Sequence, residues 1–320
     1  MKKFAIASIA LGFLVISICA GLFLWWQTQT QAPSTNVSSK RILITKGMTA
    51  EGIGALLAKE GVITSPLAFK IYTQLTDLSK KMQAGEFSVP TNLKLEDVIK
   101  KLLAGPTEIW VTIPEGLRRE QVAQKFSEEF GIPETEFLNL SQNLEGYLFP
   151  ETYLFPKTAS ASAVIKRLTN TFEDKTKDLS LSKDDVILAS ILERETRNAD
   201  EAPIVAGILT NRLQISMALQ TDATVQYAVA NLKFKNQNLK LENWWVQPTK
   251  EDLKIDSPYN TYKYPGLPPA PISSPGLIML KAAANPTDTD YFYYIHDSEG
   301  VIHFAKTLAE HNANVAKYLR

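Results

Sequence analysis

An uncharged run near the N-terminus constrains the fold of this chain more than any other feature. Residues 5–26 carry no charge, end in a tryptophan pair and follow Lys2 and Lys3. The run exceeds the roughly 20 apolar residues that cross a bilayer as a helix, and it is longer than the apolar core of a cleaved signal peptide. The sequence therefore predicts one membrane-spanning helix, with residues 1–4 in the cytoplasm and everything after the run outside it.

The charge balance and the few metal-binding side chains exclude several classes of function. Lys and Arg number 34 and so do Asp and Glu, so the chain lacks the basic excess that nucleic-acid binding requires. Cys19 is the single cysteine and lies in the uncharged run, which rules out an intrachain disulfide and a cysteine metal site. The three histidines, His296, His303 and His311, lack the spacing of a metal-binding motif. We therefore expect no metal, no cofactor and no nucleic-acid partner.

The chain beyond the uncharged run has the pattern of an α+β protein. Short alternating strands lead through a turn into amphipathic helices. The strands of three such units are expected near residues 42–49, 87–92 and 111–116. Such units resemble LysM-like modules, which bind N-acetylglucosamine polymers. The predicted segments are a stub at 1–4, the spanning helix at 5–26, a polar linker at 27–41, a small LysM-like module at 42–106 and a larger α+β region at 107–320.

One carboxylate, Glu195, lies where a predicted helix completes an apolar face. Leu188, Ile191 and Leu192 recur at helical spacing, and the next position on their face is Glu195. No basic residue lies three or four positions away from it in the sequence. Burial without a cation favours the protonated form of a carboxyl group, which general-acid catalysis needs near neutral pH. Alternatively, Glu195 is a solvated residue at the end of the helix.

A second carboxylate of the same helix, Glu193, has an ordinary explanation. Arg197 follows four residues later, which is the favourable order for an ion pair on a helix surface. We therefore expect Glu193 to be exposed, and its replacement by glutamine to cost little.

Five motifs in a fixed order carry a resemblance to a known family. They are EGYLFPETY at 145–153, ASILERET at 189–196, LQTDATV at 219–225, YNTY at 259–262 and GLPPAPI at 266–272. With the N-terminal anchor and the C-terminal end, they resemble the endolytic murein transglycosylases, the YceG-like family, over essentially the whole chain. The departures from the family pattern are mild, with Arg194 where many relatives have Lys and Ala270 where Gly is common.

The resemblance implies a chemistry and a set of site residues. The family's catalytic residue is the second Glu of the Glu-x-Glu-Thr motif, which is Glu195 here. It would act as acid and then as base, because the 6-hydroxyl of the muramic acid sugar is the nucleophile and a 1,6-anhydro end results. Substrate-binding groups are expected on the loops. The candidates are Gln220, Thr221, Asp222, Asn260, Tyr262 and Glu151. Thr221 or Asp222 also fits the cap of a short helix.

The resemblance implies a membrane-anchored lyase on the outer side of the cytoplasmic membrane. It would cleave the MurNAc–GlcNAc bond within nascent peptidoglycan strands, terminate glycan elongation and associate with penicillin-binding peptidoglycan synthases. Two other functions fit the residues. A muramidase that hydrolyses the same bond would need a second carboxylate, for which Asp222 and Glu151 are available. A non-catalytic cell-wall-binding or septal scaffold protein would use Glu195 only structurally.

Overall fold

The chain divides into two compact units with mixed α and β structure. The computed structural model describes residues 2–237 and 243–319. One unit comprises residues 1–111 and 154–158, and the other comprises residues 112–153 and 159–320. The predicted α+β class is confirmed, whereas the LysM-like identity of the small module stays a prediction.

The first unit combines helices with a small sheet. Its helices are α1 (Lys2–Gln29), α2 (Ala50–Lys59), α3 (Pro66–Leu75) and α4 (Leu95–Leu103), with a 3₁₀ turn at Ser79–Lys81. Four strands form one sheet in the order β1 (Ser39–Ile44), β2 (Gly85–Pro90), β3 (Glu108–Thr112) and β4 (Thr152–Pro156). β1 and β2 are antiparallel, with Ile42 opposite Phe87. The predicted alternation of strand and helix is therefore confirmed for both of these strands.

The core of the first unit lies between its sheet and its helices. Ile42 and Phe87 from the strands and Phe69 from α3 are almost completely buried in one apolar cluster. Trp26 also packs against this cluster, and its ring stacks on Tyr72 with the centroids 6.4 Å apart. The C-terminal end of α1 is thus fixed to the folded unit by apolar contacts.

The N-terminal helix agrees with the predicted membrane span. Its segment Leu11–Gln29 is long and apolar enough to cross a bilayer. α1 continues to Gln29 and β1 begins at Ser39, so both elements extend into the stretch for which the sequence predicts a polar linker. The orientation of the helix in a membrane stays a prediction.

The second unit is built mainly from helices. They are α5 (Arg119–Phe130), α6 (Glu134–Leu140), α7 (Ala161–Thr176), α8 (Lys183–Glu195), α9 (Ala202–Gln214), α10 (Asp222–Gln237), α11 (Leu277–Ala284) and α12 (Leu308–Tyr318), with a 3₁₀ turn at Asp252–Lys254. A hairpin of β5 (Tyr293–His296) and β6 (Ile302–Ala305) precedes α12.

Helix α8 is the central element of the second unit. Every residue from Val186 to Leu192 is buried, and α8 packs against α9, α10 and α11. The predicted apolar face of Leu188, Ile191 and Leu192 is therefore confirmed, and the other residues of these two turns are buried as well. Ser190 anchors the GLPPAPI loop, since its hydroxyl accepts a hydrogen bond from the Ile272 amide at 3.0 Å. A helix held this firmly presents its last residue in a defined position.

Candidate active site

A cleft of about 430 Å³ surrounds the C-terminal end of α8. Its walls come from α8, α9, α10, β5, α12 and two loops. The lining residues are Glu195, Arg212, Leu219, Gln220, Asp222, Tyr262, Tyr293, Tyr294, Ile295, Leu308 and His311. The structure thus brings together four of the predicted site residues, namely Glu195, Gln220, Asp222 and Tyr262.

Glu195 is the last residue of α8 and is half-buried in the cleft wall. Its Oε2 accepts a hydrogen bond from the Tyr294 hydroxyl at 3.0 Å. Burial raises the pKa of the Glu195 carboxyl, and the nearby charge of Asp222 acts in the same direction. The Tyr294 hydroxyl and the Ala223 amide oppose this by stabilising the carboxylate. The prediction that burial favours the protonated form is therefore confirmed.

Asp222 and Tyr262 form a hydrogen-bonded pair on the same cleft. The Tyr262 hydroxyl donates to Asp222 Oδ1 at 2.7 Å, and the Gln247 amide donates to Asp222 Oδ2 at 2.9 Å. Asp222 is the first residue of α10, which agrees with the prediction that a helix begins at Thr221 or Asp222. The helix α10 is longer than predicted. A second carboxylate is thus available beside Glu195.

Gln220 lies in the cleft with an unusual backbone. Its φ is +51°, in the left-handed region that residues other than glycine rarely adopt. The Gln220 amide donates to the Thr261 carbonyl at 3.1 Å, which holds this conformation. Such backbone strain often accompanies functional sites, and here it places Gln220 at the cleft surface.

Arg212, a largely buried residue of α9 that was not among the predicted site residues, also lines the cleft. Arg212 of α9 donates from Nε to the Phe292 carbonyl and from Nη1 to the Leu219 carbonyl, both at 2.6 Å. These bonds tie the β5 hairpin to the segment that carries Gln220. Its guanidinium also gives the cleft a fixed positive charge.

Thr221 and Asn260 organise loops rather than line the cleft. The Thr221 hydroxyl is buried and lies 3.2 Å from the Thr261 hydroxyl. The Asn260 side chain is buried, and its Nδ2 donates to the Leu253 and Ile255 carbonyls at 2.9 Å. Its Oδ1 accepts from the Tyr262 amide at 3.0 Å. Asn260 therefore shapes the turn that presents Tyr262.

Glu151 lies apart from the cleft-lining residues. Its carboxylate pairs with Lys175 of α7 at 2.8 Å, and the side chain is 41 % exposed. The Lys175 hydrogen bond lowers the pKa of Glu151. The structure therefore does not bring Glu151 together with Glu195.

The expectation that Glu193 is exposed and forms a surface ion pair with Arg197 is wrong. Glu193 is half-buried, and its Oε2 accepts a hydrogen bond from the Gly276 amide at 2.8 Å. Arg197 instead lies against Gly300. Burial, followed by the charge of Glu115, raises the pKa of Glu193 to about 7. The loop before α11 covers this side of α8, which helical spacing alone cannot reveal.

Replacing Glu193 by glutamine is expected to change how stability depends on pH. The pKa of Glu193 in the folded state, about 7, lies above the ordinary 4.5. The contribution of this carboxyl group to the free energy of unfolding is therefore fully present below about pH 4.5 and is lost as the pH rises to about 7. Glutamine keeps an acceptor for the Gly276 amide and does not ionise. In urea unfolding, the free energy of unfolding of the variant should therefore rise relative to that of the parent over this pH window, by on the order of 1–3 kcal/mol at pH 8. The same replacement at the exposed Glu173 is the control, and parallel pH curves for parent and Glu193→Gln would contradict the burial argument.

The site residues that sequence reasoning missed come from the C-terminal hairpin and α12. In the sequence, Tyr294 belongs to a run of aromatic residues and His311 to the C-terminal end that resembles the family pattern, but neither is among the predicted site residues. The His311 ring stacks on Tyr293, with the centroids 5.2 Å apart. Although a strand alternates its side chains, Tyr293 and Tyr294 both line the cleft. In residues 2–237 and 243–319, no group of three His, Cys, Asp or Glu side chains could hold a metal ion.

Comparisons with known proteins place the chain in a family. A sequence profile described as the YceG-like family matches residues 42–317. The chain belongs to the YceG-like family. The matched range includes every residue that lines the cleft.

Curated relatives and a solved structure support this membership of the YceG-like family. A Bacillus subtilis protein named endolytic murein transglycosylase is 31 % identical over 94 % of this chain and 91 % of its own length. A Streptococcus pneumoniae protein of the same name is 26 % identical over 100 % of this chain, which spans 66 % of that relative. The crystal structure of a putative yceG-like protein from Listeria monocytogenes is 27 % identical, with a TM-score of 0.50 over 87 % of this chain and 99 % of that chain.

Proposed function

We propose that this protein is a membrane-anchored endolytic lytic transglycosylase that cleaves the MurNAc–GlcNAc bond within peptidoglycan strands. The observation that carries the proposal is the Glu195 carboxyl, half-buried in a cleft of a YceG-like chain with its pKa raised by burial. Relatives named endolytic murein transglycosylase support the reaction class. Termination of nascent strands follows from internal cleavage. A cut within a strand separates its older part from the growing end, so that part is no longer extended.

In the proposed reaction, one carboxyl group acts twice. Protonated Glu195 donates its proton to the bridging oxygen as the bond from that oxygen to C1 of the muramic acid sugar breaks. The Glu195 carboxylate then accepts the proton of the 6-hydroxyl group while the oxygen of that hydroxyl group bonds to C1. This step leaves a 1,6-anhydro end and a neutral Glu195. Tyr294 holds the carboxyl in place throughout. Gln220, Asp222 and Tyr262 are the proposed sugar-contacting groups.

Product mass tests the proposed reaction. Purified protein is incubated with uncrosslinked glycan strands, and the new ends are analysed by mass spectrometry. Anhydro ends at internal positions are the expected result. Reducing ends, which are heavier by one water, would overturn the lyase mechanism.

A muramidase is the second candidate, because Asp222 shares the cleft with Glu195. Glycoside hydrolases use two carboxyl groups, one of which activates water or attacks the sugar. In this structure Tyr262 and Gln247 both donate to the Asp222 carboxylate. These bonds fit a positioning role better than that of a free base. The same mass measurement separates the two functions.

The proposed location is the outer face of the cytoplasmic membrane. The Leu11–Gln29 segment would span the bilayer, with Lys2 and Lys3 on the cytoplasmic side. A periplasm-active reporter fused to the C-terminus should therefore be active. A fusion that is active only in the cytoplasm would contradict both the location and the proposed substrate.

Association with penicillin-binding peptidoglycan synthases is also proposed, since a strand-terminating enzyme must meet strands as they are made. The proposal rests on the family resemblance. Crosslinking in intact cells followed by identification of the captured proteins tests it, and capture without any synthase would count against it.

The first unit is proposed to contain a LysM-like glycan-binding module at residues 42–106, ahead of a catalytic domain at 107–320. Trp110, next to the module on β3, is 48 % exposed and could stack on a sugar ring. Trp110→Ala is expected to raise KM for glycan strands by about three- to tenfold, which corresponds to the roughly 0.5–1.5 kcal/mol of an aromatic contact, with kcat unchanged. Leu75→Ala on α3, where the side chain is 82 % exposed, is the control. An unchanged KM for Trp110→Ala would count against a sugar contact at β3, whereas an unchanged KM after deletion of residues 42–106 would leave the module as a spacer.

A further inference from the structure

Strand β5 contacts both ends of the connection between α8 and α9. Tyr294 and His296 lie two positions apart in β5, so their side chains leave the strand on the same side. The Tyr294 hydroxyl donates to Glu195, which ends α8. The His296 ring pairs with Glu201, which directly precedes α9. The strand that contacts the proposed acid is therefore attached at a second point, through residues that are not among those lining the cleft in the described part of the chain.

The contact between His296 and Glu201 is short and shielded from water. Nε2 of His296 lies 3.0 Å from Oε2 of Glu201, and the two side chains are 12 % and 7 % exposed. Desolvation acts to raise the pKa of Glu201, but hydrogen bonds from His296, the Arg197 amide and Asn198 outweigh it and hold the pKa below its ordinary value. Glu201 is therefore a carboxylate, and a hydrogen bond to a buried carboxylate is stronger than one between neutral groups.

Glu201 also fixes the shape of the connection that follows Glu195. Its Oε2 accepts a hydrogen bond from the Arg197 amide at 3.2 Å, and its Oε1 accepts from Asn198 Nδ2 at 2.6 Å. In return, Oδ1 of Asn198 accepts from the Glu201 amide at 3.1 Å. One carboxylate thus joins the backbone just beyond α8 to the strand that carries Tyr294.

Tyr294 lies between two attachment points of β5. On one side, Nε of Arg212 donates to the Phe292 carbonyl at 2.6 Å. On the other side, His296 pairs with Glu201. A hydrogen bond weakens steeply as its distance and angle depart from the ideal values. Because β5 is held on both sides of Tyr294, its hydroxyl stays within hydrogen-bonding distance of the proposed acid.

We propose that the His296–Glu201 pair positions the Tyr294 hydroxyl, and through it the Glu195 carboxyl, for proton transfer to and from the glycan strand. The inference rests on the proposed function, since it concerns the residue that acts as acid and base in that reaction. His296 is a positioning residue, because it acts on the reacting groups only through Tyr294. Both proton transfers require Glu195 to lie within hydrogen-bonding distance of a sugar oxygen, so a small displacement of its carboxyl group slows each of them.

The kinetics of anhydro-end formation by full-length protein in detergent micelles test this inference. His296→Leu removes the nitrogen that pairs with Glu201 and is expected to lower kcat about three- to tenfold, with KM within about twofold of the parent. His296→Gln places an amide nitrogen near the position of Nε2, so it should restore most of kcat. His303→Leu is the control, since His303 pairs at 2.8 Å with Asp297 of the same hairpin instead of with the α8–α9 connection. It should leave kcat close to that of the parent.

A double-mutant cycle with Tyr294→Phe distinguishes positioning from general support of the fold. If His296 acts through the Tyr294 hydroxyl, His296→Leu should lower kcat less than about twofold once that hydroxyl is absent. Independent contributions would instead multiply, and His296→Leu would cost the same factor in both backgrounds. Thermal melts show whether each variant is folded.

A carbon-13 NMR titration of Glu195 gives a readout that needs no turnover. Burial raises the pKa of Glu195, and the Tyr294 hydrogen bond lowers it. His296→Leu should therefore raise this pKa further, whereas the uncharged His296→Gln should return it toward the parent value, which separates positioning from the loss of a positive charge at His296. The other titratable or charged groups around Glu195 are unaltered in both variants, namely Asp222, Arg194, Arg212, Tyr262 and His311.

Two kinds of result would contradict these expectations, and they can be told apart. Equal kcat and an equal pKa of Glu195 in His296→Leu and the parent, or a loss that multiplies in the cycle, would overturn the inference. A parent protein that forms no anhydro ends would overturn the proposed function. In that case the NMR titration would still decide whether His296 positions Tyr294.

Discussion

Glu195→Gln is expected to lower the turnover of glycan strands by about 10²–10⁴-fold, the usual contribution of general acid–base catalysis. Glutamine has nearly the same shape and can still accept the Tyr294 hydrogen bond, but it carries no transferable proton. The fold should survive, because the replacement removes a carboxyl group that burial already disfavours in its charged form. The measurement is the rate at which anhydro ends appear, alongside a thermal melt that reports folding.

Glu193→Gln is the matched control for this experiment. Glu193 lies two residues earlier in α8, but its carboxyl accepts from Gly276 and is not among the residues that line the cleft. Glutamine can accept the same bond, so turnover should stay within a few-fold of the parent. Full activity in Glu195→Gln would defeat the proposed mechanism and favour a structural role for Glu195. Equal losses in both variants would indicate damage to α8 rather than to catalysis.

Tyr294→Phe is expected to lower turnover by about tenfold or more, since a hydrogen bond to a charged group is worth about 1.5–3 kcal/mol. Burial raises the pKa of Tyr294 well above its ordinary value, so its hydroxyl stays a donor at any working pH. That hydrogen bond holds down the pKa of Glu195. Its loss should therefore move the limb of the pH–rate profile that reports Glu195 ionisation to higher pH.

Tyr291→Phe is the control for the tyrosine experiment. Tyr291 belongs to the same aromatic run, but its ring stacks on Phe304 with the centroids 5.2 Å apart. It should leave both the rate and the pH profile unchanged. A lower rate in Tyr294→Phe without a shift of the profile would mean that Tyr294 supports the fold and does not position the acid.

Local patterns in the sequence were sufficient to find α8, its last carboxylate, and the strands β1 and β2 with the helices that follow them. Helical spacing placed Glu195 on a covered face, because the residues three and four positions before it are apolar. The polar loops that follow supplied Gln220, Asp222 and Tyr262, all of which line the cleft. The same reasoning could not separate these residues from Thr221 and Asn260, whose side chains are buried within the loops.

The candidate membrane-spanning helix, the α+β class, the family resemblance and the proposed acid were thus determined by the sequence itself, because each depends on neighbouring residues or on motif order. Only the tertiary structure decided the partners of these residues. Tyr294 reaches Glu195 from 99 residues away, and Gly276 covers Glu193 from 83 residues away. Glu151 pairs with Lys175 instead of entering the cleft. Spacing along a helix or strand reports which side of an element is covered, but the group that covers it depends on the packing of distant segments.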